Sequence, residues 1–309
     1  MSVPASHVCA DPPAAPRVDR GDGAALLGRF AFVVPAVSPF DMPLPLLAVD
    51  GGAAAESWHC EQAGALGLVA LREADSDDIE ASAERAYRAL LRQVRGSARP
   101  HLLRIWNFFP AINAGEGDGE RYRRFCVGRA RAVDAAFNEP PPAATAIGSH
   151  DPTDGLSVVA LCARAPARAL ENPRQTPAWR YPRQYSPVAP GFSRGAVIGA
   201  GGEAALLASG TASIVGHVSR HIGDVRAQLL ESLANLDALL EQGALAGDSR
   251  FEMAGCTSLR VYLRHRADLA AVRAALRERL PAQAVVRYLH GDICRRELDI
   301  ELEGVFAAS

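Results

Sequence analysis

The sequence predicts an α+β protein made of two copies of one β-α-β-α-β unit, with helices packed on one face of each sheet. Apolar runs typical of strands alternate with segments whose apolar residues recur every three to four positions, which is the period of an amphipathic helix. The order of these segments in the first half of the chain returns in the second half. Each copy covers about 140 residues, which indicates an internal duplication.

The second copy has the clearest elements. AVIGAGGEAALLASGTASI places two apolar runs around a glycine-rich turn and predicts a hairpin. DVRAQLLESLANLDALLEQ predicts a helix with Asp224 as its cap. The apolar positions that give this helix its period are Val225, Leu229, Leu233, Leu236 and Leu240. SLRVYLR then predicts a strand, ADLAAVRAALRERL a helix, and VVRYLH and LDIELEGV two closing strands.

The first copy repeats this order. LGLVAL predicts a strand, DIEASAERAYRALLRQV a helix and HLLRIWNFF a second strand. ERYRRFCVGRARAVDAAF predicts one helix, and TAIG and LSVVALCA predict the closing strands. Aligning LSVVALCA with LDIELEGV pairs Val159 with Glu301 and Leu161 with Glu303. Because side chains alternate along a strand, two carboxylates in the second copy replace an apolar face in the first. Buried carboxylates need a partner or a function, so the second copy is the one predicted to carry a site.

These patterns predict four segments. Residues 1–24 are rich in proline and alanine without periodicity and predict a mobile tail. Residues 25–165 form the first domain, a degenerate copy, and residues 191–309 form the second domain with the site. Residues 166–190, here called the strap, contain prolines with tyrosines and arginines and predict an ordered connection.

Composition excludes several function classes. All 33 basic residues are arginines, so chemistry that needs a lysine Schiff base or a phosphate-binding lysine is excluded. The net charge of −2 argues against a nucleic-acid partner. The six cysteines are dispersed, which is typical of a reducing cytoplasm. No apolar run reaches the length of a membrane span and no signal peptide is recognisable, so we expect a cytoplasmic protein without a membrane partner.

Three motifs suggest sites but favour structural interpretations. GAGGEA at 199–204 matches a dinucleotide fingerprint, but an apolar strand follows it where a helix is required, which favours a hairpin turn. His217 and His221 have no ligand partner at a recognised spacing, so no metal site is predicted. No G-x-S-x-G elbow is present for a serine hydrolase.

Cysteine and arginine side chains give further candidates. Cys294 stands seven residues before Glu301 and beside Arg295 and Arg296, whose charges predict a lowered thiol pKa. The alternative is that Cys294 is a small buried residue. Arg183, Arg194 and Arg260 lie in segments that the repeat brings together, which predicts a pocket for an anionic substrate. The alternative for each arginine is a solvated surface position.

Several segments together resemble a known family. The end I-E-L-E-G, with LLASGTASI before it, is similar to the RidA/YjgF superfamily, so the fold that this resemblance implies is two RidA/YjgF-like, chorismate-mutase-like halves. LRIWNFFPAINAGEGDGERYRRFCVGRARA, YPRQYSPVAPGFSRG, LLASGTASIVGH and GDICRRELDIELEG resemble the chorismatases over about residues 25–309.

The resemblance implies cleavage of chorismate to pyruvate and 3-hydroxybenzoate, with or without 4-hydroxybenzoate, and without a cofactor. It places the acid that protonates the enolpyruvyl methylene at Glu301. It places a cysteine typical of hydroxybenzoate-forming members at Cys294 and their pocket glycine at Gly210, and the strap is most like members linked to pigment production. Substrate-binding residues in matching motifs are Tyr122, Arg129, Tyr181, Arg183, Arg194 and Arg260.

Three alternatives and the assembly stay open. A chorismate hydrolase would give a dihydroxycyclohexadiene carboxylate, a RidA-like imine deaminase would need only Glu301 and one arginine, and a non-catalytic ligand-binding protein is compatible with the fold. We expect one site per chain, near the seam between the copies, with helix ERYRRFCVGRAR leaning over it. Both a monomer with internal pseudo-symmetry and a small homo-oligomer fit the sequence.

Overall fold

The computed structural model describes residues 56–63, 65–73, 78–138, 140–150 and 155–309. The predicted tail at 1–24 and the first part of the predicted first domain lie outside these residues. No helix in the described ranges combines the length and the apolar character that crossing a membrane requires.

The first unit is a five-stranded sheet with two long helices. The strand order is β1-β2-β5-β3-β4, in which β3 and β4 run parallel and all other neighbours are antiparallel. Its elements are β1 (Glu56–Ala63), β2 (Leu66–Glu73), α1 (Ile79–Arg95), β3 (His101–Pro110), α2 (Arg121–Ala132), α3 (Ala135–Asn138), β4 (Ala143–Ser149) and β5 (Leu156–Ala163).

The second unit is a six-stranded sheet with the order β12-β11-β13-β8-β7-β6, accompanied by a separate two-stranded ribbon of β9 and β10. Its elements are β6 (Arg168–Leu170), β7 (Gly195–Ile198), β8 (Ala205–Ala212), β9 (Ile214–Val215), β10 (Val218–Ser219), α4 (Val225–Leu245), β11 (Cys256–Leu263), α5 (Leu269–Arg277), β12 (Val285–His290) and β13 (Ile300–Ala307).

The two units have the same topology. Without β6, the second order β12-β11-β13-β8-β7 is the first order read from its other end, strand for strand. The predicted α+β class with two copies is therefore confirmed. Each unit opens on a hairpin, which was predicted for the second unit only, and closes on two strands, which were predicted for both. Strand β1 was not predicted, since ESWHCEQA has no apolar run and pairs only with β2 at the sheet edge.

Helices cover one face of each sheet, as predicted. In α4 the Asp224 carboxylate accepts a hydrogen bond from the N–H of Ala227 at 2.9 Å, and Leu229, Leu233 and Leu236 are buried against the second sheet. The single helix predicted through Phe137 is wrong. It ends at Ala132, because Val133 is extended and Asp134 accepts a hydrogen bond from the N–H of Phe137 to cap the short α3.

The two sheets pack on each other through the faces that the helices leave free. Leu68, Phe108 and Val159 of the first sheet meet Leu207 and Tyr262 of the second in one buried cluster. At one edge of this seam β4 lies against β8. The Ser209 hydroxyl accepts a hydrogen bond from the N–H of Ala144 at 3.0 Å. Strand β4 of the first unit therefore lies next to the catalytic candidates of the second.

Candidate active site

A cavity of about 500 Å³ opens at this seam. Both sheets, helix α2, the strap and the loop between β12 and β13 form its walls. Seven of the nine sequence-predicted site residues line it: Tyr122, Arg129, Tyr181, Arg194, Gly210, Cys294 and Glu301. Helix α2 supplies two of them, which matches the expectation that this helix leans over the pocket.

The other two predicted residues lie outside the cavity. Arg183 is exposed on the strap and donates two hydrogen bonds to Asp118, at 2.9 and 2.6 Å. It therefore ties the strap to the loop before α2. Arg260 is buried and donates to Oε1 of Glu303 at 2.8 Å, and neither residue lines the cavity. Its charge is committed to that carboxylate.

Glu301 lies on β13 at the cavity wall and is only 4% exposed. Its carboxyl makes no hydrogen bond to any residue in the described ranges. Burial and the neighbouring Glu303 raise the pKa of Glu301 to about 8, and Arg104 and Arg194 only partly oppose this shift. Glu301 is thus a protonated, unengaged acid at neutral pH.

Glu303, two residues along the same strand, has the opposite environment. Five side chains donate hydrogen bonds to it: Arg104 at 2.5 Å and Thr145 at 2.6 Å to Oε2, and Arg260 at 2.8 Å, Trp106 at 2.9 Å and Tyr262 at 2.9 Å to Oε1. Burial alone would raise the pKa of Glu303, but the two guanidinium groups and these hydrogen bonds lower it below its ordinary value. Glu303 is therefore an ionised carboxylate.

Glu301 is therefore the neutral acid of the pair, and Glu303 is the permanently ionised carboxylate. Adjacent titratable groups whose environments separate their pKa values mark acid and base roles in active sites. The negative charge of Glu303 disfavours ionisation of Glu301 and so helps to keep the proton on Glu301. The arrangement can deliver one proton to a bound molecule.

Gly210 on β8 makes room for the acid. A Cβ at this position would lie 2.0 Å from Oε1 of Glu301, a distance that real contacts exclude. The main chain of β8 therefore runs directly against the Glu301 carboxyl. Only glycine allows the β8 main chain and the Glu301 carboxyl to lie this close together.

Replacing Gly210 with alanine should displace the Glu301 carboxyl and lower catalytic turnover by about 100-fold, since a displacement of about 1 Å has effects of this size. Gly202→Ala is the matched control, because a Cβ there meets no atom within 4 Å. Steady-state kinetics of both variants measure the effect. Equal activity of the two would contradict the steric role of Gly210.

Cys294 lines the cavity, but the expectation of a lowered thiol pKa is wrong. Burial and the Glu301 carboxyl raise the pKa of Cys294 well above its ordinary value, and the opposing charge of Arg295 is too weak to compensate. Cys294 is therefore a neutral thiol beside the acid. It packs against apolar residues of both units.

Buried arginines give the cavity its positive groups. Arg194 is 3% exposed, donates to the Tyr181 hydroxyl at 2.7 Å and to the Thr176 carbonyl at 3.0 Å, and lies over the Phe192 ring. Arg129 is 6% exposed and lies over the Phe125 ring. Aromatic rings on these guanidinium groups hold them in place without neutralising their charge.

Sequence reasoning missed other residues at the cavity. Arg295, treated only as a neighbour of Cys294, stacks on Tyr185 at 4.0 Å and donates to the His217 carbonyl at 2.9 Å. Thr145 of β4 also lines the cavity. Its strand, TAIG in the sequence, has no signal of function, because its role depends on contacts with the second unit.

Comparisons with known proteins agree on one family. The family described as "Chorismatase FkbO/Hyg5-like, N-terminal" matches residues 49–162. A chorismatase from Streptomyces rapamycinicus is 43% identical over 217 residues, which is 67% of this chain and 64% of that protein. A 3-hydroxybenzoate synthase from Streptomyces hygroscopicus is 39% identical over 66% of this chain and 63% of its own length. This chain thus spans just under two thirds of both.

Two further matches cover a larger share of the matched protein. A chorismatase from Streptomyces hygroscopicus is 36% identical over 261 residues, covering 81% of this chain and 74% of that protein. The crystal structure of a chorismatase superposes with a TM-score of 0.74 at 33% identity, covering 82% of this chain and 77% of the other. Matches over 81% and 82% of this chain include residues of both units.

Proposed function

Because this chain belongs to the chorismatase family, we propose that it cleaves chorismate to pyruvate and 3-hydroxybenzoate, with or without 4-hydroxybenzoate. The observation that carries this proposal is the protonated Glu301 beside the ionised Glu303 in an arginine-lined cavity. Relatives named chorismatase and 3-hydroxybenzoate synthase support the same reaction class.

The chemistry of chorismate requires such an acid. Its enolpyruvyl group is a vinyl ether, and vinyl ethers are cleaved by protonation of the terminal methylene carbon. Glu301 donates this proton and leaves an oxocarbenium-like centre. The carboxylate left on Glu301 and the fixed charge of Glu303 stabilise the cationic centre.

The bond between the ring and the enolpyruvyl oxygen then breaks with its electron pair on oxygen, which releases pyruvate and leaves a ring cation. Loss of a ring proton, which the Glu301 carboxylate can accept, makes the ring aromatic. Direct loss gives 4-hydroxybenzoate, and transfer of the ring hydroxyl oxygen to the vacated neighbouring carbon before this loss gives 3-hydroxybenzoate. None of these steps uses a metal or a cofactor.

The arginines hold the substrate for this proton transfer. Chorismate carries one carboxylate on its ring and one on the enolpyruvyl group, and planar guanidinium groups bind carboxylates through two hydrogen bonds. Arg129 and Arg194 are buried at the cavity, and Tyr122 and Tyr181 line it with them. Holding both carboxylates brings the methylene carbon to Glu301.

The product assignment rests on Cys294 and Gly210. The resemblance associates both residues with formation of hydroxybenzoate, a reaction that consumes no net water, and both lie at the cavity wall beside Glu301. A hydrolase would instead add water to the ring and release a dihydroxycyclohexadiene carboxylate. The two reactions therefore differ by one water in the products.

The test is to incubate the purified protein with chorismate, without added metal or nucleotide, and to separate the products by chromatography. We expect pyruvate in an amount equal to total hydroxybenzoate, which is the 3-isomer with or without the 4-isomer. A dihydroxycyclohexadiene carboxylate would keep the family reaction and overturn the product assignment. Absence of pyruvate release would overturn the proposal and leave imine deamination or ligand binding as the alternatives.

The pH dependence follows from the state of Glu301. Only its protonated form donates, and its pKa of about 8 predicts that kcat/KM is constant at neutral pH and falls tenfold per unit above about pH 8. Both substrate carboxylates are ionised throughout this range. Initial rates between pH 6 and pH 10 measure the profile, and a rate that rises through pH 8 would contradict an acid role.

We further propose that the protein acts in a reducing cytoplasm as a monomer or small homo-oligomer. Cys126, Cys162, Cys256 and Cys294 are free thiols, which supports this compartment. Light scattering on the purified protein tests the assembly.

A further inference from the structure

Thr145 connects the first unit to the catalytic strand of the second. It lies on β4, is 4% exposed and faces the cavity. Its hydroxyl accepts a hydrogen bond from the N–H of Gly210 at 2.8 Å and donates one to Oε2 of Glu303 at 2.6 Å. Arg104 also donates to this hydroxyl. One oxygen atom thus joins β4, β8 and β13.

The hydroxyl of Thr145 can donate its proton to only one of these three neighbours. The N–H of Gly210 and the guanidinium of Arg104 can only donate, whereas the ionised Glu303 can only accept. The O–H of Thr145 is therefore directed at Glu303, and Glu301 receives no hydrogen bond from it. The same contact holds the N–H of Gly210 away from Glu301, although the Gly210 main chain lies against that carboxyl.

We propose that Thr145 is a positioning residue, supplied by the first unit, that keeps the carboxyl of Glu301 free of hydrogen bonds and available to the substrate. The inference rests on the acid role proposed above. Without the hydroxyl, the N–H of Gly210 loses its acceptor and can donate instead to Oε1 of Glu301, which lies against the Gly210 main chain. A backbone N–H that donates to a carboxylate stabilises its ionised form, so Glu301 would lose its proton at lower pH.

A substitution at Thr145 leaves every other charged and titratable side chain around Glu301 in place. These side chains come from five segments besides β4: Glu303 on β13, Arg104 on β3, Arg194 before β7, Tyr122 on α2 and Cys294 in the loop before β13. Glu303 loses the Thr145 donor but keeps the guanidinium groups of Arg104 and Arg260. A change in the titration of Glu301 therefore reports the lost hydroxyl.

The test compares Thr145→Val, which keeps the shape and removes the hydroxyl, with Thr145→Ser, which keeps the hydroxyl. Two readouts are measured for each variant. The first is the pH profile of kcat/KM with chorismate. The second is the titration of Glu301 by NMR of protein labelled with ¹³C at the glutamate side-chain carboxyl, with Glu301→Gln used to assign the resonance.

In Thr145→Val we expect the alkaline limb and the NMR titration of Glu301 to move down by about one pH unit or more. Activity at pH 9 should then fall about tenfold while activity at pH 6 is largely kept, and Thr145→Ser should resemble the original protein. An activity loss that is equal at every pH, or an unchanged NMR titration, would overturn the inference. If the original protein releases no pyruvate, the proposed function fails, but the NMR titration still decides the role of Thr145.

Discussion

Replacing Glu301 with glutamine should lower the rate of pyruvate release from chorismate by about 10²–10⁴-fold, the range measured for removal of a general acid. The amide keeps the shape of the side chain but has no acidic proton to give to the methylene carbon. Because Glu301 makes no hydrogen bond to the described residues, the substitution breaks none there. Single-turnover and steady-state rates at pH 7 measure the loss.

The folded state should tolerate this substitution. Folded protein holds the Glu301 proton up to about pH 8, whereas an unfolded chain releases it near 4.5, so the contribution of this group to stability is full below pH 4.5 and is lost as pH rises through 8. The glutamine variant lacks this dependence and should unfold no more easily above pH 8. Glu278→Gln, at an exposed position after α5, is the control. Activity within tenfold of this control would remove Glu301 from the role of acid.

Replacing Glu303 with glutamine should lower the free energy of unfolding by about 3–5 kcal/mol, the cost of breaking a buried ion pair by removing one partner. The side chains of Arg104 and Arg260 are only 2% and 7% exposed, and both donate to this carboxylate. The neutral amide leaves their charges buried without an anion. Equilibrium urea unfolding followed by circular dichroism measures the change.

Asp237→Asn provides the matched control for Glu303→Gln. Asp237 pairs with Arg279 at 3.0 Å on the surface, where both side chains are nearly half exposed, and such pairs contribute about 0–1 kcal/mol. Loss of the Glu303 charge should also lower the pKa of Glu301, so the residual activity should decline at a lower pH. If both variants lost an equal free energy of unfolding, the buried hydrogen bonds and ion pairs of Glu303 would not stabilise the fold as predicted.

Sequence periodicity was sufficient to predict the helices and strands that bury one apolar face. The helix at Val225–Leu245, its cap at Asp224 and the hairpin around Gly199 all occur where the pattern predicts them. Strand alternation also predicted that Glu301 and Glu303 lie on the face of β13 opposite Ile300 and Leu302, which pack in the core with helix α4. Strand β1 and the break at Val133 were missed, because an edge strand needs little apolar surface and a capping aspartate inside a helical pattern is a weak signal.

The candidate site was predictable where its residues belong to recognisable motifs, which include Tyr122 and Arg129 on α2 of the first unit and Tyr181 of the strap. Glu301, Gly210 and Cys294 were found through their motifs and spacing. The contacts that set their chemistry come from the first unit, where Arg104 and Thr145 stand in strands that read as ordinary core. Arg183 and Arg260 have the right charge for substrate binding, but each is engaged by an acidic side chain that sequence cannot place beside it.

The hydrogen bonds and ion pairs of Glu303 also have a consequence for the order in which the protein folds. Arg104 and Thr145 are separated from Glu303 by 199 and 158 positions in the chain. Contacts this distant form only after the intervening chain has been ordered, since closing long loops early costs conformational entropy. Each sheet can form from nearer segments, but the charge on Glu303 and the proton on Glu301 depend on docking of the two. We therefore expect catalytic competence to arise as the last step of folding, after secondary structure is complete.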